Sequence, residues 1–380
     1  WNRIALRGLL NGRLEIRRQG RSPVRITIPR FVVRQGGLRD AGFPYELRDV
    51  HATGNYSVAD DRSQQLVLTS LHGQHETVHV SSGVVFTIDP HRDWTLRFEP
   101  FSVDGLVSDK DLLTALPDKL RDLATHLNPQ GPLQLAGLIE LRGAKDPKIP
   151  MTAAWDLETR LAGNSLTTGV RLDEVTGRIN SRGKWYGTHA IVNGDFQLKN
   201  VTLWDYRFTD VRGPFHLMDH DLVIGTSQAF TRQQSGKTQP TIPLSQHVTA
   251  RAVGGLFTLD AQTRIDKQEA DYHVKMNMSE AKLQDFARKY MRDPRKLKGT
   301  MRGWVDLRGR GQSPANVTGR GQLQVSPAEL YELPIIVQLF DVLSLGPPEQ
   351  TAFRYAQCDF QLARSRFHLN SIDLVGNSLQ

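Results

Sequence analysis

The sequence predicts a mainly β protein: an extended antiparallel meander with a few short amphipathic helices. Three observations predict it. Apolar residues alternate with polar ones at period two through most of the chain. Gly, Asn, Asp or Pro interrupts that alternation at short intervals. The same strand patterns also recur, which favours a stackable architecture over one closed globule.

The alternation is clearest in MRGWVDLRGRG (301–311). Met301, Gly303, Val305, Leu307 and Gly309 take one parity, and Arg302, Trp304, Asp306, Arg308 and Arg310 the other. One side of such a strand is apolar and the other charged. LAGLIELRGAK is a near copy, with Leu135, Gly137, Ile139, Leu141 and Gly143 on the apolar parity. Its Gly137 precedes the matching Gly303 by 166 residues (303 − 137). Further strands place Phe196 with Leu198, then Val211, Gly213, Phe215 and Leu217, then Leu222 with Ile224. Gly321, Leu323 and Val325 follow, and last Cys358, Phe360 and Leu362, with Phe367 and Leu369 beyond a turn. A second echo links Tyr45, Leu47, Asp49 and Val50 to Tyr206, Phe208, Asp210 and Val211.

Three helices are expected. Ser108 caps a leucine stripe running from Leu112 to Leu127, which Pro117 divides. Ser279 caps a helix over 279–291 carrying Leu283, Phe286 and Tyr290. Ser326, Pro327 and Glu329 form a capping box leading into an apolar helix, LPIIVQLFDVLSLG. No apolar run reaches the roughly eighteen residues needed to span a bilayer. Residues 231–246 read as a polar loop. The chain opens at Trp1 and ends inside an apparent strand, so a segment of a longer protein is expected.

Apolar content is 39%, the net charge +8 and the pI about 9.6. Excess basic charge suits an anionic partner, yet arginines and lysines alternate with acids along the strands and read as a solvated face. Zinc spacings, RNP aromatics and helix-turn-helix patterns are all missing, so nucleic acid is not an expected partner. The one cysteine, Cys358, sits on the apolar parity and reads as a buried, inert thiol.

Catalytic and metal signatures are weak. His75 and His79, in one strand, would lie roughly 13 Å apart, too far for one ion, and His72 would face the other way. Asp219, His220 and Asp221 read as turn chemistry. GRGQSPANVTGRG lacks the third glycine and the following helix of a dinucleotide loop. Asn55, Asn200, Asn277 and Asn316 open Asn-x-Ser/Thr triplets, which matter only on a eukaryotic secretory route. The chain is expected not to be an enzyme, and no cofactor or metal is expected.

An apolar sheet face needs a cover. The sheet folds on itself as a sandwich, holds lipid chains in a trough, or packs on another protein. The run from Leu297 to Leu343, then Phe353 to Leu379, resembles the C-terminal region of AsmA-like proteins, relatives of TamB and of bridge-like lipid transfer proteins. The residues that carry the resemblance are Gly299, Gly303, Leu307, Gly309, Gly311, Gly319, Leu323, Val325, Leu330 and Pro334. Phe353, Phe360, Leu362, Ile372, Leu374 and Gly376 complete it. It is strongest over 255–380 and weaker over 1–250.

The resemblance implies a curved, taco-like groove with helices at its rim. It divides the chain into groove units over 1–130 and 131–295 and a truncated AsmA-like unit over 296–380. It implies a periplasmic protein attached to the inner membrane of a diderm bacterium by an anchor outside this chain. The implied role is phospholipid transfer between envelope membranes. On this reading acyl chains line up along Leu135, Ile139, Leu141, Phe196, Leu198, Val211, Phe215, Leu217, Leu222, Ile224, Val305, Leu307, Leu323, Val325, Phe360 and Leu362. Inward glycines (Gly137, Gly213, Gly303, Gly321) leave room for those chains or let the sheet curve; the alternative is bulges and turns. Other envelope proteins are further candidate partners. The competing expectations are a β-sandwich scaffold, adhesin or assembly factor without lipid, and a cryptic hydrolase.

Overall fold

A computed structural model describes residues 4–18, 24–40, 43–116, 118–146, 148–167, 171–187, 189–203, 206–230, 243–264, 270–288, 298–311, 313–329, 353–363 and 365–376. Among the described residues twenty strands belong to one antiparallel sheet, with three short α-helices. The mainly β, antiparallel expectation is met. Two compact units are present: Trp1–Leu198 with His216–His220, and Lys199–Phe215 with Asp221–Gln380.

In the first unit β1 (Ile4–Gly12) and β2 (Glu15–Arg17) both pair with β3 (Arg25–Asp40). The chain then meanders through β4 (Leu47–Val58), β5 (Gln64–His75), β6 (Val78–Ile88) and β7 (Trp94–Leu106). It continues as β8 (Leu133–Gly143), β9 (Thr152–Thr167), β10 (Arg171–Tyr186) and β11 (His189–Leu203). Helices α1 (Lys110–Ala115) and α2 (Asp118–Leu127) lie between β7 and β8. Asp109, not Ser108, caps α1: its carboxylate accepts the Leu112 N–H at 2.7 Å. Pro117 lies outside the described residues.

In the second unit β12 (Tyr206–Met218) pairs with β14 (Val248–Ala252), and β13 (Asp221–Ile224) with β15 (Gly255–Arg264). β16 (Asp271–Lys282), β17 (Lys298–Arg310), β18 (Thr318–Glu329), β19 (Phe353–Ala363) and β20 (Arg366–Gly376) follow as neighbours. The helix expected over 279–291 starts later: Ser279–Lys282 still belong to β16, where Ser279 pairs with Leu256, and α3 covers Leu283–Ala287, with 289–291 outside the described residues. The capping-box signature at Ser326 likewise sits in β18, where Ser326 pairs with Thr300. Sheet pairing overrides a local cap signal at both places. The apolar helix expected after Glu329 falls in 330–352, and most of the polar loop in 231–242, both outside the described residues.

The echoed Asp-Val motif has a structural cause. Asp49 and Asp210 stand at left-handed φ values of 49° and 50°, each at a break in strand register. Glu174 (φ 53°) before Val175, and Glu280 (φ 59°) before Ala281, repeat the device. Each bulge inserts one residue and turns the following small apolar side chain inward. Val175 and Ala281 are consequently 0% exposed.

Buried side chains are few. Among the described residues only Met301, Val78, Val175 and Asn164 are large side chains below 2% exposure. One buried cluster joins α3 to the sheet: Leu283 and Ala287 pack with Ala281, Met301, Val325 and Ala356.

Candidate apolar binding face

Directly paired residues of neighbouring strands project from the same side of a sheet, so register shows which side chains form one face. One rung of the first unit reads Phe31, Gly54, Leu68, Val84, Phe98, Ile139, Trp155, Gly183 across eight strands. The next reads Tyr56, Leu66, Phe86, Leu96, Leu141, Ala153, Trp185. Val103 and Leu135 pair two rungs beyond Phe98 and Ile139. Arg178 bonds Gln197 at 2.7 Å and Asn180 bonds Asp195 at 3.1 Å on the opposite side. Phe196 and Leu198 therefore join the apolar side. So does Leu217, because the adjacent His216 meets Asn193 at 2.7 Å on the other.

The second unit repeats the arrangement. Leu259, Met276, Val305, Gly321, Phe360 and Leu369 form one rung. Ile224, Ala261, Val274, Leu307, Gly319, Leu362 and Phe367 form another. Leu222, two residues before Ile224 on the same parity, pairs with Thr263. Leu323 pairs with Gly303 and Cys358, and Val325 with Met301 and Ala356. Val211 packs on the cluster of Ala250, Ala252 and Phe257. Phe215 is half-buried on β12.

Of the sixteen residues expected to line the face, Leu217 and Val325 are buried and the other fourteen half-buried. Exposure rises at β20, where Phe367 and Leu369 reach 57% and 44%. The reading from sequence missed Phe31, Leu68, Phe98, Trp155 and Trp185. Bulges hide them: Phe98 and Phe101 share the face although three residues apart, because the register shifts between them.

The inward glycines do not leave empty room. A Cβ at Gly321 would collide with the Phe360 ring and the Trp304 carbonyl. At Gly137, Gly213 and Gly303 it would collide with the neighbouring strand's backbone. Trp94 over Gly143, Trp155 over Gly183 and Tyr272 over Gly309 repeat the Phe360–Gly321 pairing. Aromatic rings lie flat across the glycine they pair with, the arrangement called aromatic rescue. Gly183→Val should push Trp155 off the sheet and destabilise the protein by about 1–3 kcal/mol. Chemical denaturation, with tryptophan emission as the probe, measures it; unchanged stability and emission would show that the ring does not depend on the glycine.

The opposite side is charged. Arg142 meets Glu140 at 2.6 Å, Arg160 meets Glu158 at 2.6 Å and Arg182 meets Asp156 at 2.5 Å. Exposed pairs of this kind contribute roughly 0–1 kcal/mol each; their main effect is to keep this side in water. In the second unit Asp306 takes a 2.6 Å bond from His273 and lies 3.8 Å from Lys275. Buried Asp260 accepts from His247 at 2.6 Å and from the Thr226 N–H at 2.9 Å. Phe230 lies beside His273, with ring centroids 4.6 Å apart. These histidine–carboxylate pairs hold residues 226–230 against the sheet.

His75 and His79 do not share a strand, because the chain turns at Glu76 and Thr77 and pairs Gln74 with His79. His75 is buried: Nδ1 donates to the Glu46 carbonyl at 2.7 Å and Nε2 lies 3.5 Å from Asp111 of α1. Asp219 and His220 form the expected turn, while Asp221 opens β13. Among the described residues no group of three or more His, Cys, Asp or Glu is arranged to hold a metal ion. Cys358 is half-buried; burial, then Asp359, pushes its thiol pKa up.

Tyr45 stacks on His75, centroids 4.0 Å apart, and its hydroxyl finds no partner among the described residues. Burial, then the Asp109, Asp111 and Glu76 carboxylates, pushes its pKa up to about 12. The unfolded phenol ionises near pH 10. The neutral buried phenol thus favours the folded state fully below about pH 10, and that contribution is lost as pH rises through about 12. An alkaline ultraviolet titration should find Tyr45 ionising after the exposed tyrosines; a Tyr45→Phe variant with an unchanged late phase would refute the assignment.

No helix among the described residues is long and apolar enough to cross a membrane. No protein family, curated protein or solved structure matches the chain. The fold and the register define the class: a large antiparallel sheet with one apolar and one charged side.

Proposed function

We propose that the apolar side binds phospholipid acyl chains and that the protein carries phospholipid between membranes of a diderm envelope. The observation that supports it is the run of cross-strand apolar rungs, most of whose side chains remain half in water. Hydrocarbon laid along them is favoured by about 0.8 kcal/mol for each methylene buried. Headgroups stay at the strand ends in water, so little polar desolvation opposes binding. The role is binding rather than catalysis. It agrees with the resemblance of 255–380 to AsmA-like proteins, and with it a periplasmic site and an anchor outside this chain.

Native mass spectrometry of detergent-free protein tests the proposal. Phospholipid adducts that exchange with added lipid are expected. A clean polypeptide mass, with no uptake of added phospholipid, would contradict lipid binding and favour a scaffold.

A further inference from the structure

The excess positive charge is not spread along the chain. Residues 1–39 hold ten arginines, no lysine and one acid, Glu15, for a net +9. The whole chain carries +8, so residues 40–380 sum to −1 (8 − 9). The alternating pattern of basic and acidic residues that describes the later strands fails here.

The structure gathers this charge at one edge of the first unit. Among the described residues β1 and β2 pair only with β3, which leaves their outer edge without a partner strand there. Arg7, Arg18, Arg30, Arg34 and Arg39 are exposed and have no acidic partner among the described residues. The register puts Arg7, Arg34 and Arg39 on the charged side of the sheet, opposite the apolar rungs. The same edge exposes aliphatic side chains: Leu9 at 66%, Leu10 at 67%, Leu14 at 58% and Ile16 at 63%. Leu10 and Ile16 continue the apolar side, pairing with Val33 and Ile26.

Unpaired guanidinium groups beside exposed leucines match an anionic membrane surface, where arginines meet phosphates and aliphatic tips enter the headgroup–acyl boundary. A nucleic-acid surface would interleave its arginines with stacking aromatics, and the described residues of β1 and β2 include none. We infer that the β1–β3 edge docks on an anionic phospholipid bilayer. Docking there would bring the Leu10 and Ile16 end of the apolar side to the membrane. The inference rests on the charge distribution and stands whether or not the apolar side carries lipid.

Vesicle co-sedimentation of the full chain tests it, with phosphatidylglycerol/phosphatidylcholine vesicles against phosphatidylcholine alone. Binding to the anionic vesicles alone is expected, and loss of binding as salt rises from about 0.1 M to about 1 M. Arg7→Glu/Arg34→Glu/Arg39→Glu should weaken it by roughly a hundredfold, and Leu9→Ser/Leu10→Ser/Leu14→Ser by roughly tenfold. Arg251→Glu/Arg302→Glu/Arg366→Glu makes the same change in net charge on exposed residues of the second unit and should leave binding intact. Circular dichroism checks that each variant folds. Equal binding to neutral vesicles, equal loss in both arginine variants, or tighter binding to single-stranded DNA than to vesicles would overturn the inference. Lipid adducts in the mass spectrum of the edge variants, measured in parallel, separate failure of docking from failure of acyl-chain binding.

Discussion

Ile139→Glu combined with Val305→Glu should reduce bound phospholipid by at least about tenfold while the sheet stays folded. Each position lies mid-rung: Ile139 between Phe98 and Trp155, Val305 between Met276 and Gly321. Both are half-buried, so without lipid a carboxylate there keeps much of its water. An acyl chain laid over the rung would strip that water, which costs several kcal/mol per charge, and each 1.4 kcal/mol is a factor of about ten in affinity. One substitution falls in each unit, so neither unit retains an unaltered face. Gln324→Glu, on the charged side opposite Arg302, is the control and should load normally. Lipid quantified by extraction and mass spectrometry gives the comparison. Equal lipid in the double variant and the control would place any bound lipid elsewhere.

Met301→Ala should destabilise the second unit by about 2–5 kcal/mol. Met301 is 1% exposed and stands where α3 meets the sheet, between Ala281 on β16 and Val325 on β18. Its neighbours Ala281, Ala287 and Ala356 are too short to close the space it would leave. The lost contacts and the cavity therefore both count. Val305→Ala on the same strand, where the side chain is half-exposed, should cost far less. Denaturant unfolding compares the two, and similar losses would mean that the Met301 side chain is not enclosed between α3 and the sheet.

Much of this fold is legible in the residues. MRGWVDLRGRG and LAGLIELRGAK alternate without interruption, and both form strands with their apolar parity on one face. Reading falters where parity is broken. Asp49, Glu174, Asp210 and Glu280 each insert a residue, so strict alternation assigns the residues beyond them to the wrong side. His75 and His79 look like one strand because two residues, Glu76 and Thr77, suffice for the hairpin between them. Ser279 and Ser326 carry helix-cap signals, but neighbouring strands offer each segment a full hydrogen-bonded ladder. The ring-over-glycine pairs need register, which couples residues such as Trp155 and Gly183 across a turn. The arginine-rich edge is written plainly in residues 1–39 but vanishes in a chain-wide average.

Quenching of single-tryptophan variants by phospholipid with brominated acyl chains tests the central claim most directly. Trp155 lies on the apolar side between Ile139 and Gly183, and Trp304 on the charged side near Arg320, 5.9 Å from ring centroid to guanidinium. Strong quenching of the variant retaining Trp155, with little in the one retaining Trp304, is the predicted result. Equal quenching of both, or none of either, would contradict a lipid-lined apolar face.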